Sequence, residues 1–132
     1  MGIVSPEELL FFDAMPAMLP VYEVLREKLL SAYPDVGIRV TKTQISFKNR
    51  YIFAVVSFQR VQGFPKDHLL VTFGLGYPKQ HPRIAVVTEA SPNRWTHHVP
   101  VTRPEQLDSE LMGWIDESYQ FALIKGRGKA QP

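Results

Sequence analysis

The adjacent histidines His97 and His98 are the residues of this sequence most readily put to chemical use. Lys42, Gln44 and the arginine–aromatic pairs Arg50-Tyr51 and Arg94-Trp95 come next. A histidine titrates near neutral pH, so either ring could act as a general acid or base if a second polar group lay within reach. As a chelating pair the two are badly spaced. Neighbouring strand residues point to opposite faces, so these rings cannot share one metal ion. His68 and His81, both in expected loops, add no ligand spacing, and neither a metal nor a cofactor is expected. A structural role for histidines in a strand is the simpler reading. Lys42 could bind an anion and Gln44 could read a ligand amide or carbonyl. The plainer alternatives are a solvated lysine and a glutamine that satisfies nearby backbone groups. Arg50 and Arg94 could each make a cation–π contact with the aromatic beside it.

No established catalytic pattern organises these residues. The chain has no GxxxxGK[ST] phosphate loop, no GxGxxG, no HExxH and no GxSxG. Gly74-Leu75-Gly76 opens like a dinucleotide fingerprint but lacks the third glycine and a following helix. The absence of cysteine removes disulfides, thiolate zinc sites and cysteine nucleophiles together, and it fits a reducing cytoplasm. The opening residues carry Glu7 and Glu8 where a secretory signal has a basic region. No apolar run reaches the roughly 18 residues of a membrane helix. A soluble cytoplasmic protein without membrane contact is expected.

The elements that must position the candidates can be read from spacing. Ser5-Pro6-Glu7-Glu8 is a helix start, with Ser5 as cap, Pro6 in the first turn and Glu8 completing a capping box. Pro16 and Pro20 keep that helix short. A second helix runs to about Ala32 with Val21, Val24, Leu25 and Leu29 on its apolar face, and Tyr33-Pro34 ends it. Val36, Ile38 and Val40 alternate as a half-buried strand, while Ile45 and Phe47 alternate on the opposite parity. Thr41 to Gln44 must therefore hold a bulge or a tight turn. Lys48-Asn49-Arg50 is a polar connection in which Asn49 could take a left-handed conformation. The near-continuous apolar run Tyr51 to Phe58 predicts a central strand covered on both faces. Leu69 to Leu75, Ile84 to Val87 and Trp95 to Val101 are further strands, and Pro100 argues for an edge position or a strand end. Asp108 caps a last helix whose stripe Leu107, Leu111, Trp114, Ile115, Ser118 and Ala122 docks on the sheet, leaving Glu110, Asp116 and Glu117 toward water. The fold class is α+β: N-terminal helices, an antiparallel sheet of about five strands and a C-terminal helix on one face. One domain is expected over residues 1–124, then a basic tail over 125–132.

A net charge of +2 conceals a segregated distribution. Residues 1–35 sum to −4, residues 36–103 to +8 and residues 104–132 to −2. Acidic helices complementing a basic sheet is the simpler explanation, and an anion-facing sheet surface is the alternative.

Three segments in order, Lys42 to Phe47, Arg94 to His98 and Asp108 to Tyr119, resemble a bacterial family of small domains of unknown function, sometimes labelled predicted transport proteins. The resemblance extends over roughly residues 9 to 124. It implies a helix-plus-antiparallel-sheet fold and a bacterial source, and it supplies no catalytic residue. The leading functional expectation is a non-catalytic binding or interaction domain for a small ligand or protein partner, with homodimerisation through a strand edge or sheet face. The alternative is an enzyme or small-anion binder using Lys42, Gln44, Arg94 and one histidine. Nucleic-acid binding is third, because the basic residues are scattered.

Overall fold

The computed structural model describes residues 3–130, with side chains through Ile124, so the expected basic tail lies outside the residues whose side chains are described. Helices α1 (Pro6–Phe11) and α2 (Leu19–Ala32) precede the sheet, and α3 (Ser109–Ala130) follows it. Among the described residues the sheet has six strands: β1 (Gly37–Val40), β2 (Gln44–Lys48), β3 (Ile52–Ser57), β4 (Leu69–Leu75), β5 (Val86–Ser91) and β6 (Arg94–Val101). Every pairing is antiparallel, in the order β1-β2-β3-β4-β6-β5.

The strand beyond the expected five comes from the parity break. Thr41 to Gln44 is a tight turn rather than a bulge: Val40 pairs with Ile45, and the Thr41 N–H donates to the Gln44 carbonyl at 2.9 Å. The Thr41 hydroxyl reinforces it, donating to that carbonyl at 3.1 Å and accepting from the Gln44 N–H at 3.2 Å. A hairpin reverses the chain, so apolar residues on both sides of it face one layer.

The apolar run of β3 has a different cause from the one expected. Its register with β2 shifts between Phe47 and Lys48, so Phe53 is an extra residue opposite the partner strand. Phe53 meets Tyr33 and Tyr119 on the helical side, while Ala54 pairs with Phe47 and Phe73 of that same side. Two consecutive buried residues thus serve one face, and Val55 on the other face is only half-buried. β6 is an interior strand, and Pro100 lies beyond His98, where pairing with β5 has ended. Among the described non-glycine residues the left-handed one is Asn93 (φ 62°), in the Pro92-Asn93 turn between β5 and β6. Asn49 instead donates to Asp35 at 2.6 Å and to the Tyr119 hydroxyl at 3.1 Å.

All three helices lie on the face that carries Ile45, Phe47, Val56, Val71, Phe73 and Val99. The α3 stripe is buried along its expected length, and the Ser118 hydroxyl on it donates to the Phe53 carbonyl at 2.6 Å. Asp108 caps α3 through the Leu111 N–H at 3.1 Å. Among the described residues no helix lies on the opposite face. One row of cross-strand neighbours crosses the whole of it: Arg39, Ser46, Val55, Thr72, His98 and Val86.

The N-terminal helices are joined by a buried charge. The capping box forms as expected, yet Glu8 does more than cap, for it is only 2% exposed. Its carboxylate accepts from the Tyr22 hydroxyl and from Arg26 Nε at 2.8 Å, and the Ser5 N–H adds a third donor at 2.8 Å. Burial alone would raise the carboxyl's pKa, but hydrogen bonds from Arg26, Tyr22 and Ser5 outweigh it and hold Glu8 below the ordinary glutamate value. The unfolded chain therefore takes up this proton first on acidification. Glu8 contributes stability above the ordinary value of 4.5 that is lost as pH falls through the lower folded value. Arg26→Met should cost about 3 kcal/mol in urea unfolding at pH 7, because it strands a buried carboxylate. The triple change Glu8→Leu, Tyr22→Phe, Arg26→Met should recover most of that loss and flatten the acid limb between pH 5 and 3. A triple variant no more stable than the single one would refute this account.

Candidate functional site

The sequence candidates do not converge. Gln44 stands in the row Gln44, Ser57, Leu70, Pro100, whereas Arg94 lies at the far end of β6. Three strand spacings separate them by about 14 Å across the sheet, and six residues by about 20 Å along it. The Arg94 guanidinium sits 5.5 Å from the ring centre of Phe121, so its aromatic partner is not Trp95. Arg50 does lie over its neighbour Tyr51, at 5.9 Å. Trp95 is half-buried, paired with Leu75 and Glu89.

The histidines divide between faces as strand geometry requires. His97 is buried against the helical side, its ring parallel to Phe73 at 5.0 Å. Its Nε2 accepts from the Lys79 N–H at 2.9 Å, which places the neutral ring's proton on Nδ1, and Nδ1 has no hydrogen-bond partner. Burial first, then the charge of Lys79 and the proximity of His98, push its pKa down. The Phe73 and Trp95 carbonyls favour the cation without offsetting this. His98 is on the open face, with Nδ1 2.8 Å from the Thr72 hydroxyl and a pKa lowered by burial. A hydroxyl–imidazole pair is the start of a nucleophile and base, but among the described residues no carboxylate bonds to the ring to orient it. Among the described residues no three His, Asp or Glu side chains are grouped to hold a metal ion.

The charge segregation is partly internal. Lys79 pairs with Glu117 at 3.1 Å, and Arg83 pairs with Asp108 and Glu110 at 2.9 Å each. His81 reaches Glu110 at 3.2 Å, and the Tyr33 hydroxyl donates to Asp116 at 2.6 Å. The carboxylates expected to face only water thus hold the β4–β5 loop and the end of α2 against α3. Sequence spacing gave no sign of this, because the partners lie 25 to 83 positions away. Arg39, Lys42 and Lys48 have no carboxylate within ion-pair distance among the described residues.

Lys42 and Gln44 do come together, at the tip of the β1–β2 hairpin. Two clefts meet there. One, of about 500 Å³, is lined by Glu7, Leu10, Phe11, Asp13, Val40 and Lys42 among others. The second, of about 460 Å³, is lined by Lys42, Thr43, Gln44, Ser57, Phe58 and Gln59. Phe11, Ala14 and Lys42 border both, so they are two lobes of one groove between α1 and the hairpin tip. Its floor is aromatic: Phe11 and Phe58 stack at 4.8 Å and 21°. Gln44 donates to Ser46 at 3.2 Å. The aromatic half of the groove escaped the sequence reading because Phe11 and Phe58 are 47 positions apart.

The sequence model of a domain of unknown function, DUF5655, matches residues 9–122. The chain belongs to the DUF5655 family. No curated protein and no solved structure matches it. The DUF5655 match contains the groove residues from Leu10 through Gln59, the row across the open face and both histidines. No helix among the described residues is long and apolar enough to cross a membrane.

The two depressed imidazoles make a prediction with a definite sign. An unfolded histidine gains its proton near the ordinary 6.5, while the folded rings resist it, so stability falls as pH drops below 6.5. Urea midpoints at pH 7.5 and 5.5 should therefore differ, and the difference should shrink in His97→Gln. An undiminished difference in that variant and in His98→Gln would remove both rings as its source.

Proposed function

We propose that this domain binds a small ligand or a short segment of a partner, without transforming it, in the groove between α1 and the β1–β2 hairpin. One observation carries this reading: an unpaired lysine at a hairpin tip overhangs the junction of two lobes on a stacked aromatic floor. An apolar surface with a few polar groups around it is the ordinary composition of a ligand site. Of the residues on which a reaction would have rested, Lys42 and Gln44 share the hairpin tip while Arg94 and the histidines stand away from it, so no chemical step is routed through the set.

Two other readings have less behind them. For a homodimer, β5 offers an edge strand exposed along nearly its whole length. It also carries Glu89 and a register shift between Glu89 and Ser91, features that keep edges from pairing. For nucleic acid, Arg39 stands at one end of the open face without an ion-pair partner among the described residues, but the row across that face holds no Phe, Tyr or Trp for base stacking, and its one ring, His98, is hydrogen-bonded to Thr72. A bacterial, cytoplasmic setting suits a cysteine-free chain of this resemblance.

The test is a thermal-shift screen against a small-molecule and peptide library, repeated on Ala14→Trp. Ala14 is exposed and borders both lobes, so a tryptophan there fills the groove without entering the core. A ligand at one hundred times its Kd stabilises by about 2.7 kcal/mol, a shift of several degrees. Shifts should appear with the wild type and vanish with Ala14→Trp at unchanged circular dichroism. Shifts that survive the tryptophan place the site elsewhere.

A further inference from the structure

The groove's two walls carry opposite charges that do not meet. On the helical wall Glu7 and Asp13 are both exposed, and neither has a basic partner within ion-pair distance among the described residues. On the hairpin wall Lys42 is exposed and equally unpaired. Leu10, Phe11, Ala14 and Val40 line the same lobe. Beyond Lys42, the second lobe is bordered by hydroxyls and amides from Thr43, Gln44, Ser57 and Gln59, and by no carboxylate.

We infer that the groove takes a dipolar ligand with an apolar middle, of the kind a short apolar peptide with free termini presents. The inference rests on the groove being the binding place. A purely anionic amphiphile would set its apolar body beside two carboxylates, and a purely cationic one would set its head against Lys42. A ligand with both charges answers both walls. Its ammonium faces Glu7 and Asp13, its side chains cover Phe11 and Leu10, and its carboxylate reaches Lys42 with the hydroxyls and amides of the second lobe. Such charges at a partly exposed site are worth little singly, but each penalises a ligand that lacks the matching end. Lobes of about 500 and 460 Å³ are within the range of small-molecule sites.

Calorimetric titration of the full chain with trileucine in four forms tests this: free, N-acetylated, C-amidated and doubly blocked. The free peptide should bind about threefold tighter than either singly blocked form, at low salt. Lys42→Met should erase the preference for the free carboxylate and leave that for the free amine. Glu7→Gln with Asp13→Asn should do the reverse. All three residues are exposed, so these variants should fold, which circular dichroism checks. If the doubly blocked peptide binds as tightly as the free one and Ala14→Trp abolishes both, the dipolar assignment is wrong and the groove stands. If no form binds, the assignment is likewise wrong, and the groove is judged by the library screen alone.

Discussion

A carboxylate removed from water is the constraint on which the N-terminal third depends. Glu8 cannot remain buried and ionised without Arg26 and Tyr22 from α2 and the Ser5 N–H. Those donors leave α1 a single seat. The chain from that seat is pinned further by Phe12, which packs at 4.8 Å on Tyr22 and at 5.2 Å on Phe58. With α1 fixed, Phe11 stacks on Phe58 and Ala14 faces the hairpin tip. The groove therefore follows from the buried ion pair rather than from any residue that lines it.

A second set of charges does similar work along the N-terminal half of α3. Lys79, His81 and Arg83 bind Glu117, Glu110 and Asp108. That holds the β4–β5 loop where the Lys79 N–H can reach His97. Exposed pairs of this kind contribute little each, and their value here is positional. The β1–β2 tip has no such clamp, so Lys42 keeps a charge available to something else. The simple expectation of acidic helices complementing a basic sheet describes one half of the molecule only.

How much was legible from sequence follows from the range of the interactions. Period and capping are local, so α3's buried stripe, the Ser5–Glu8 box, the Asp108 cap and the division of His97 from His98 could all be read directly. The break between Val40 and Ile45 was legible as a break. Its resolution into a hairpin needed the pairing of Val40 with Ile45, which adds a sixth strand. The bulge at Phe53 was hidden because an apolar run looks the same whether both faces are covered or one face takes two consecutive residues. Glu8 was read as a cap because the capping box is a complete local explanation, and nothing nearby announces Tyr22 fourteen residues on. Which candidate side chains meet was not legible, since only folding decides it, and it placed Lys42 and Gln44 beside Phe11 rather than beside Arg94.

That outcome bears on what the domain can do. Catalysis needs several groups within bonding distance of one reacting atom, and those groups are ordinarily held by a rigid surround. Here several polar groups with rigid surrounds are already occupied. Glu8 is saturated by donors, His97 Nε2 by Lys79, and Ser118 lies between Phe53 and Gly74. Lys42, Glu7 and Asp13, which have no ion-pair partner among the described residues, stand on the hairpin tip, on α1 and just after it, along one lobe of the groove. Under the proposed reading, separate charges spaced over an apolar floor would serve recognition of an extended molecule.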